Sequence, residues 1–449
     1  MKVLSVLLFL IVLSLSAVAA DIAVTVYNSN LGVVSETRSL EFSKGISQIT
    51  FRDVPTAIDA SSVTFDIIDT RHNVSILEQN YAYDLVSPDQ IYSRYIDREV
   101  DLLDKDGKLF SGTLLAFNGG AITLLQKTGG IKVVQLSNIA ETNFPKLPDG
   151  LITRPTLFWK YNSDYEGPLD CKVGYQTSSM GWSAEYIGVL NAKEDNLNLS
   201  GWASITNNSG KTYNDATLKL IAGDISRANE SRIRGGRDQE ISLMAKAYDG
   251  FEEKAFFEYH MYTLPRKATL ANKEIKQISL FEPASTSIIK KYTYRPEVDP
   301  KRVEVSINFK NSQETGLGMP LPAGRIRLFK GDNDGSLILL GEDNINHTPK
   351  NEELNIKVGY AFDIAAEENM TDRTVISNKV DERTFAIEFR NHKDSPVTIN
   401  VEKSLWDTWE VLDSSLPYTK KDANTIQFNV PVGAEETVKL TYKIRFTRQ

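Results

Sequence analysis

Apolar and polar residues alternate with a period of two along most of this chain. The clearest stretch lies near the C-terminus, where the alternating residues are Val438, Lys439, Leu440, Thr441, Tyr442, Lys443, Ile444, Arg445 and Phe446. The same alternation recurs at 303–309, 385–389 and 397–401. A period of two puts successive side chains on opposite faces of a strand, so these stretches predict half-buried strands of antiparallel sheets.

Turn sequences separate the predicted strands. They share glycine with a small polar residue: Asp106-Gly107, Asn118-Gly119-Gly120, Thr128-Gly129-Gly130, Asp149-Gly150 and Asp332-Asn333-Asp334-Gly335. These residues accept the positive backbone dihedrals of hairpins. The best helix candidate runs from Pro88 to Tyr95, with Ser87 as its cap. We therefore predict an all-β fold of tandem antiparallel β-sandwiches with very little helix.

The spacing of turns also predicts how the chain is divided. Between residues 97 and 148, five short strand candidates alternate with glycine-containing turns, which is typical of a small barrel of the SH3 or Sm type. The predicted regions are a signal peptide at 1–20, an N-terminal β domain at 21–96, the small β-barrel-like domain at 97–148, a core β domain at 149–228, a loop or linker at 229–250 and a C-terminal β-sandwich region at 251–449.

The first twenty residues have the pattern of a signal peptide. Lys2 precedes an apolar run from Val3 to Leu15, and small residues lead into Asp21. The run is shorter than the roughly 20 residues that a membrane-spanning helix needs, and no later segment approaches that length. We expect export to the periplasm or the extracellular space, with no integral membrane segment after signal removal.

Charge and cysteine content narrow the classes of partner. The formal net charge is -8, whereas nucleic-acid binding needs a concentrated basic surface, so we expect no nucleic-acid partner. The one dense basic cluster, Arg232, Arg234 and Arg237, surrounds two glycines and is more typical of a solvated loop than of an anion site. A single cysteine, Cys171, excludes an internal disulfide, so stability must come from buried area.

Several motifs carry a resemblance to a known family. They are Gly181–Tyr186, Ser200–Tyr213, Ala222–Asp224, Phe51–Pro55, Leu77–Tyr81, Gly150–Leu157, Glu258–Leu264 and Ile345–Pro349. Together they resemble a secreted bacterial domain of unknown function that is related to the mucoidy inhibitor A-like proteins. Some relatives carry a long N-terminal coiled coil, which this sequence lacks. The resemblance implies a bacterial cell-envelope protein, and because the family has no settled activity it implies no catalytic residue.

Motifs of known enzyme chemistry are missing from the sequence. It has no nucleophile elbow, zinc-protease helix, paired-cysteine zinc site or phosphate loop. Asp332–Gly335 departs from a calcium loop, because Lys330 and Gly341 would occupy the first and twelfth ligand positions. We predict no metal site and no cofactor, and we interpret Asp332–Gly335 as a hairpin turn.

One short stretch could still support acid–base chemistry. Glu342, Asp343 and His347 lie close together in sequence, and carboxylates beside an imidazole can move protons or hold a metal. With Asp224, they are the candidate catalytic residues of an envelope glycan or peptide hydrolase. The competing interpretation is that the ring of His347 holds the turn before Pro349 through a backbone hydrogen bond.

Four aromatic residues form a second candidate site. Trp182, Tyr186, Trp202 and Tyr213 lie in or beside predicted strands. Their polar neighbours are Ser183, Glu185, Asn207, Asn208 and Asp224. Aromatic platforms with amide and carboxylate partners hold glycans, but packing in a sandwich core explains the same residues.

These observations favour a non-catalytic, exported, multidomain β protein that binds or scaffolds a cell-envelope partner, either protein or glycan. The hydrolase is the alternative. Self-association through an unprotected edge strand is a third hypothesis, which makes a homo-oligomer an outcome to test.

Overall fold

The computed structural model describes residues 21–148, 151–223, 225, 251–256 and 259–448. It is 67% strand and 3% helix, which confirms the all-β prediction. Within the described residues, no helix is long and apolar enough to span a bilayer.

The strands in the first half of the chain are β1 (Asp21–Tyr27), β2 (Leu31–Phe42), β3 (Gly45–Arg52), β4 (Ile58–Ile67), β5 (Val74–Ala82), β6 (Glu99–Asp104), β7 (Leu109–Phe117), β8 (Ala121–Gln126), β9 (Ile131–Gln135), β10 (Ile139–Asn143), β11 (Thr156–Ser163), β12 (Gly167–Thr177), β13 (Met180–Leu190), β14 (Asn196–Asn207) and β15 (Tyr213–Ala222). One α-helix, α1 (Pro88–Arg94), lies between β5 and β6. Two short 3₁₀ turns lie at Leu136–Asn138 and Gln313–Thr315.

The strands in the second half are β16 (Glu252–Phe256), β17 (Tyr259–Thr263), β18 (Ala268–Leu270), β19 (Glu274–Ser287), β20 (Ile289–Tyr294), β21 (Arg302–Lys310), β22 (Gly324–Gly331), β23 (Leu337–Ile345), β24 (Glu353–Val375), β25 (Val380–Asn391), β26 (Val397–Ser404), β27 (Thr408–Ser414), β28 (Tyr418–Asp422), β29 (Thr425–Val432) and β30 (Thr437–Thr447). The turn between β22 and β23 is the predicted hairpin, since Gly335 has a φ of 85° and the Asp332 amide donates to the Ser336 carbonyl.

The chain folds into two compact units. The first comprises the described residues up to Gly181 with Thr206–Lys219 and Arg266–Glu274, and the second comprises the remaining described residues. In the first unit, a sheet containing β1, β2, β12 and β4 faces the three-stranded sheet β3-β11-β5. Aromatic side chains fill the space between these sheets. For example, the ring centre of Trp159 on β11 lies 4.9 Å from the ring centre of Phe65 on β4. This part of the unit is a β-sandwich.

The first unit also contains a five-stranded sheet with the order β10-β6-β7-β8-β9. Its five strands lie where the turn spacing predicts them. Helix α1 begins after Ser87, whose hydroxyl accepts from the Gln90 amide at 3.2 Å, and it buries Tyr92 against the core of this sheet. Because β9 and β10 are the two edges of the sheet, closure into a barrel stays a prediction.

The second unit is built on two larger sheets. One has the order β19-β14-β13-β22-β23, and the other is nine-stranded with the order β27-β30-β25-β24-β21-β20-β26-β29-β28. Most neighbours are antiparallel, but β13 with β22 and β20 with β26 are parallel. The alternating residues of β30 face the core of the nine-stranded sheet as predicted, with Leu440, Tyr442 and Ile444 fully buried.

Strand β24 has an irregular segment where it pairs with β21. Tyr360 lies opposite Glu304, yet the next pair along the strands is Ala365 with Arg302. Between these two pairs, β24 has four residues (361–364) where β21 has one, Val303. Segment 361–364 therefore bulges out of its pairing with β21. A bulge redirects side chains away from the regular face, and Phe362 is 99% exposed here.

Candidate functional site

The predicted acid–base group does not converge in the structure. Glu342 and Asp343 are consecutive on β23, so their side chains point to opposite faces of the sheet. Glu342 binds Arg327 at 2.9 Å. Asp343 instead accepts from the backbone amide of Lys357 at 2.8 Å.

His347 lies beyond the end of β23 and is exposed. Its Nδ1 accepts from the backbone amide of Ala323 at 3.1 Å, and the adjacent Thr348 pairs with Leu321 through two backbone hydrogen bonds. This geometry fits the structural interpretation, in which the ring holds a turn. Asp224 and the arginine cluster at 232–237 lie outside the described residues.

Two residues of the predicted aromatic platform, Trp182 and Tyr186, lie on one face of β13 and are buried. The indole of Trp182 donates to the carbonyl of Ile221 at 3.0 Å, and the hydroxyl of Tyr186 donates to the carbonyl of Pro322 at 2.7 Å. Burial raises the pKa of Tyr186 well above its ordinary value. Both polar ends therefore serve the packing of the second unit.

The other two predicted aromatic residues occupy different surroundings. Trp202 is 38% exposed on β14, on the face opposite its buried neighbours. Tyr213 is fully buried in the first unit, and its hydroxyl is enclosed with the rest of the side chain. Burial raises the pKa of Tyr213 to about 12. Of the four aromatic residues, Trp202 is the one that presents a ring to solvent.

A buried ionic cluster lies close to Tyr213 in the first unit. Glu36 of β2 is completely buried and accepts hydrogen bonds from Lys211, Tyr175 and Arg38. The ammonium group of Lys211 is also buried, whereas Arg38 reaches the surface and lies 4.0 Å from the ring centre of Phe51. One buried carboxylate thus binds one buried cation and one cation that reaches the surface.

Electrostatics keeps Glu36 ionised. Burial raises the pKa of this carboxyl group, but the charges of Lys211 and Arg38 and the hydrogen bonds from Lys211 and Tyr175 lower it by more, so the net pKa lies below the ordinary value of 4.5. Sequence reasoning missed this cluster. The residues next to Lys211 are Gly210, which is exposed, and Thr212, which is half-buried, so they do not mark this lysine as buried.

The Asn207 side chain builds the turn that carries Lys211. Its amide donates to the carbonyls of Lys211, Leu270 and Ala271 at 2.9–3.2 Å, and its Oδ1 accepts from the hydroxyl and amide of Ser209. Asn207 is nearly inaccessible to solvent. Asn207 therefore has a structural role in this unit.

The second unit contains a largely apolar cavity of about 190 Å³ beside the bulge of β24. Its lining comes from the end of β13 and from β20, β21, β23 and β24; the apolar members are Leu190, Tyr292, Val305, Ile307, Leu340, Val358, Ala361 and Phe362. Aliphatic walls with one exposed aromatic ring at the mouth suit an apolar group of a ligand.

Charged side chains surround the mouth of this cavity. Glu194 binds both Lys290 and Lys330, and these hydrogen bonds lower its pKa to about 2. Lys393 and Asp363 complete the polar part of the lining. No hydrogen bond or ion pair of the Lys393 ammonium is found within the part of the chain that the structure describes. The rim therefore offers a cation to an acidic group of a ligand.

The strand that forms one wall of the cavity is also the edge of its sheet. Strand β23 ends the five-stranded sheet, and Leu337, Ile338 and Leu339 are each about half exposed. Further along, a Cβ on Gly341 would lie 2.2 Å from the Val358 carbonyl oxygen, so only glycine permits this approach to β24. An exposed apolar edge strand is a template for pairing with another strand.

No group of three or more His, Cys, Asp or Glu side chains in the described ranges is arranged to hold a metal ion. A scan of protein-family models finds no match to this chain, and a search of curated proteins finds none either. The resemblance to the mucoidy inhibitor A-like proteins stays a prediction.

Proposed function

We propose that this chain is an exported, non-catalytic β protein that binds a protein partner of the bacterial cell envelope. The observation that carries the proposal is the apolar cavity beside Phe362, to whose lining the edge strand β23 contributes Leu340. A protein segment fits this surface better than a glycan, because the cavity walls are aliphatic and the edge offers backbone groups for strand pairing.

The expected ligand is an extended segment with apolar side chains and a nearby carboxylate. Its backbone would pair with Leu337–Leu339, one apolar side chain would enter the cavity, and its acidic group would lie near Lys393. Ligands of this kind gain affinity from main-chain hydrogen bonds and specificity from the pocket that accepts alternate side chains.

The hydrolase alternative draws no support from the described geometry. The side chains of Glu342, Asp343 and His347 each engage a separate neighbour and point to no common cleft. Asp224 lies outside the described residues.

Affinity capture from isolated envelope tests the proposal. The baits are the wild type, Phe362→Asp at the cavity mouth and Ile275→Asp, which alters an equally apolar, exposed position on β19, the other edge of the same sheet. We expect the same partner with the wild type and Ile275→Asp, and its loss with Phe362→Asp.

Two results would count against binding at this surface. One is capture that survives Phe362→Asp unchanged. The other is release of soluble glycan or peptide fragments from envelope by the purified protein, which would favour the hydrolase. Sedimentation of the purified protein separates partner binding from self-association, because a dimer abolished by Phe362→Asp would make a second copy the occupant.

A further inference from the structure

One end of the nine-stranded sheet presents large apolar side chains to solvent. Val375 and Ile376 lie at the turn between β24 and β25 and are 65% and 54% exposed. Trp406 lies in the corner between β26 and β27 and is 75% exposed, the most of any tryptophan in the described residues. The other tryptophan of this corner, Trp409, is buried in the core.

The strand register brings these two segments to the same end of the sheet. Val380 at the start of β25 and Thr408 at the start of β27 are both paired with Thr447 of β30. The amide of Arg448 donates to the carbonyl of Lys379 at 2.8 Å, which ties the chain after β30 to the β24–β25 turn. The turn and the Trp406 corner therefore extend beyond the sheet in the same direction.

Positive charge surrounds the β24–β25 turn. The buried carboxylate of Asp381 is shared by the guanidinium groups of Arg373 at 2.9 Å, Arg383 at 2.8 Å and Arg448 at 3.9 Å. Lys379 is exposed within the turn itself. One carboxylate cannot satisfy three guanidinium groups, so their remaining N–H donors face solvent and can bind further anions.

Acidic residues at this end reduce the positive charge without cancelling it. Asp372, Asp407 and Glu410 are exposed, the last of them 3.8 Å from Arg445, whereas Asp381 is buried beneath its arginines. On the opposite face, Glu382 is already bound by Lys443 and Arg445. The cations that reach solvent therefore outnumber the exposed carboxylates, although the whole chain is acidic.

We propose that this end of the sheet docks on an anionic lipid surface. Trp406 and Ile376 enter the headgroup region, where aromatic rings and aliphatic side chains leave water, and Lys379 with the neighbouring guanidinium groups binds lipid phosphates. Exposed apolar residues scattered singly are ordinary on a soluble surface. Here they meet at one end beside excess cations, which is the combination that a lipid interface attracts.

This inference goes beyond the proposed function and uses a separate surface. None of its residues lines the cavity beside Phe362. Loss of lipid binding with partner capture intact would therefore reject this inference alone, and the reverse result would reject the proposed function alone.

Vesicle sedimentation of the full chain tests the docking surface. The probes are vesicles of phosphatidylcholine with phosphatidylglycerol and vesicles of phosphatidylcholine alone. We expect binding to the anionic vesicles that weakens with added salt, because ions screen the contribution of the cations. Trp406→Ser removes an apolar side chain that would leave water in the lipid interface, so it should lower the partition coefficient by at least about tenfold. Ile275→Ser, at an exposed aliphatic position away from this end, should bind as the wild type does.

Tryptophan emission supplies a second readout. The emission assigned to Trp406, obtained as the difference between the wild type and Trp406→Phe, should shift to the blue on anionic vesicles. Lys379→Glu changes an exposed side chain, so it should fold normally and weaken binding to anionic vesicles.

Several outcomes would overturn the inference. They are equal binding of anionic vesicles by the wild type and Trp406→Ser, an unchanged Trp406 emission on those vesicles, and a response to soluble glycerol phosphate or cell-wall glycan fragments in the absence of vesicle binding.

Discussion

The buried ionic cluster of the first unit predicts an unequal response to removal of its members. Glu36 binds both Lys211 and Arg38. In Glu36→Gln the buried ammonium of Lys211 loses its counter-charge, and removing one partner of a buried pair typically costs about 3–5 kcal/mol. In Lys211→Met, Arg38 and Tyr175 still bind Glu36, so the remaining charges balance and we expect a smaller loss, on the order of 1–2 kcal/mol.

The double variant Glu36→Gln/Lys211→Met sharpens this prediction. It also removes the ammonium group of Lys211, which has no counter-charge in Glu36→Gln, so it should be more stable than Glu36→Gln alone. The double-mutant cycle then gives the coupling energy between Glu36 and Lys211. Lys160→Met provides the control, because the pair of Lys160 with Glu78 is about half exposed and should contribute less than about 1 kcal/mol.

Hydrogen exchange of backbone amides, followed by mass spectrometry at increasing urea, measures these free energies locally. Peptides from β2 and β12 report on the first unit alone, which avoids treating a chain of two units as a single unfolding transition. A Lys211→Met loss as large as that of Glu36→Gln, or a double variant less stable than both, would refute the charge-balance reasoning.

Three further predictions follow from the same contacts. Because the folded-state pKa of Glu36 lies below its ordinary 4.5, its stabilisation is complete above about pH 4.5 and declines as the pH falls below it; Glu36→Gln should flatten this part of an acid-unfolding curve. Asn207→Ala leaves several buried backbone groups unsatisfied and should cost about 3 kcal/mol in urea unfolding. His347→Gln should lower stability by about 1 kcal/mol or less and leave envelope capture unchanged; lost capture at normal stability would indicate a ligand role for this ring.

Local patterns predict the fold well because strands and caps are local features. The alternation at 437–447 gives β30, and the Ser87 hydroxyl caps α1 as its position suggests. The Asp332–Gly335 turn is likewise set by residues within a few positions of one another. In each case the physical cause lies within a short window of sequence.

The sites depend on pairings that no short window contains. Glu36 and Lys211 are separated by 175 positions, and neither has a neighbour that marks it as buried and charged. The cavity depends on a bulge in β24 whose length is set by the pairing with β21. For Trp182 and Trp202, the sequence predicts strands, but which face of each strand is covered depends on the sheet that packs against it.

The first unit is built from segments that are far apart in the sequence, and this limits when it can fold during synthesis. Its structure includes Thr206–Lys219 and Arg266–Glu274, so β15, β18 and the counter-charge of Glu36 are synthesised long after β2. During synthesis, the early strands cannot complete their core until these segments have been made. A fragment that stops at Gly181 would expose the same unfinished core. The first unit can therefore complete its fold only after residue 274 has been synthesised.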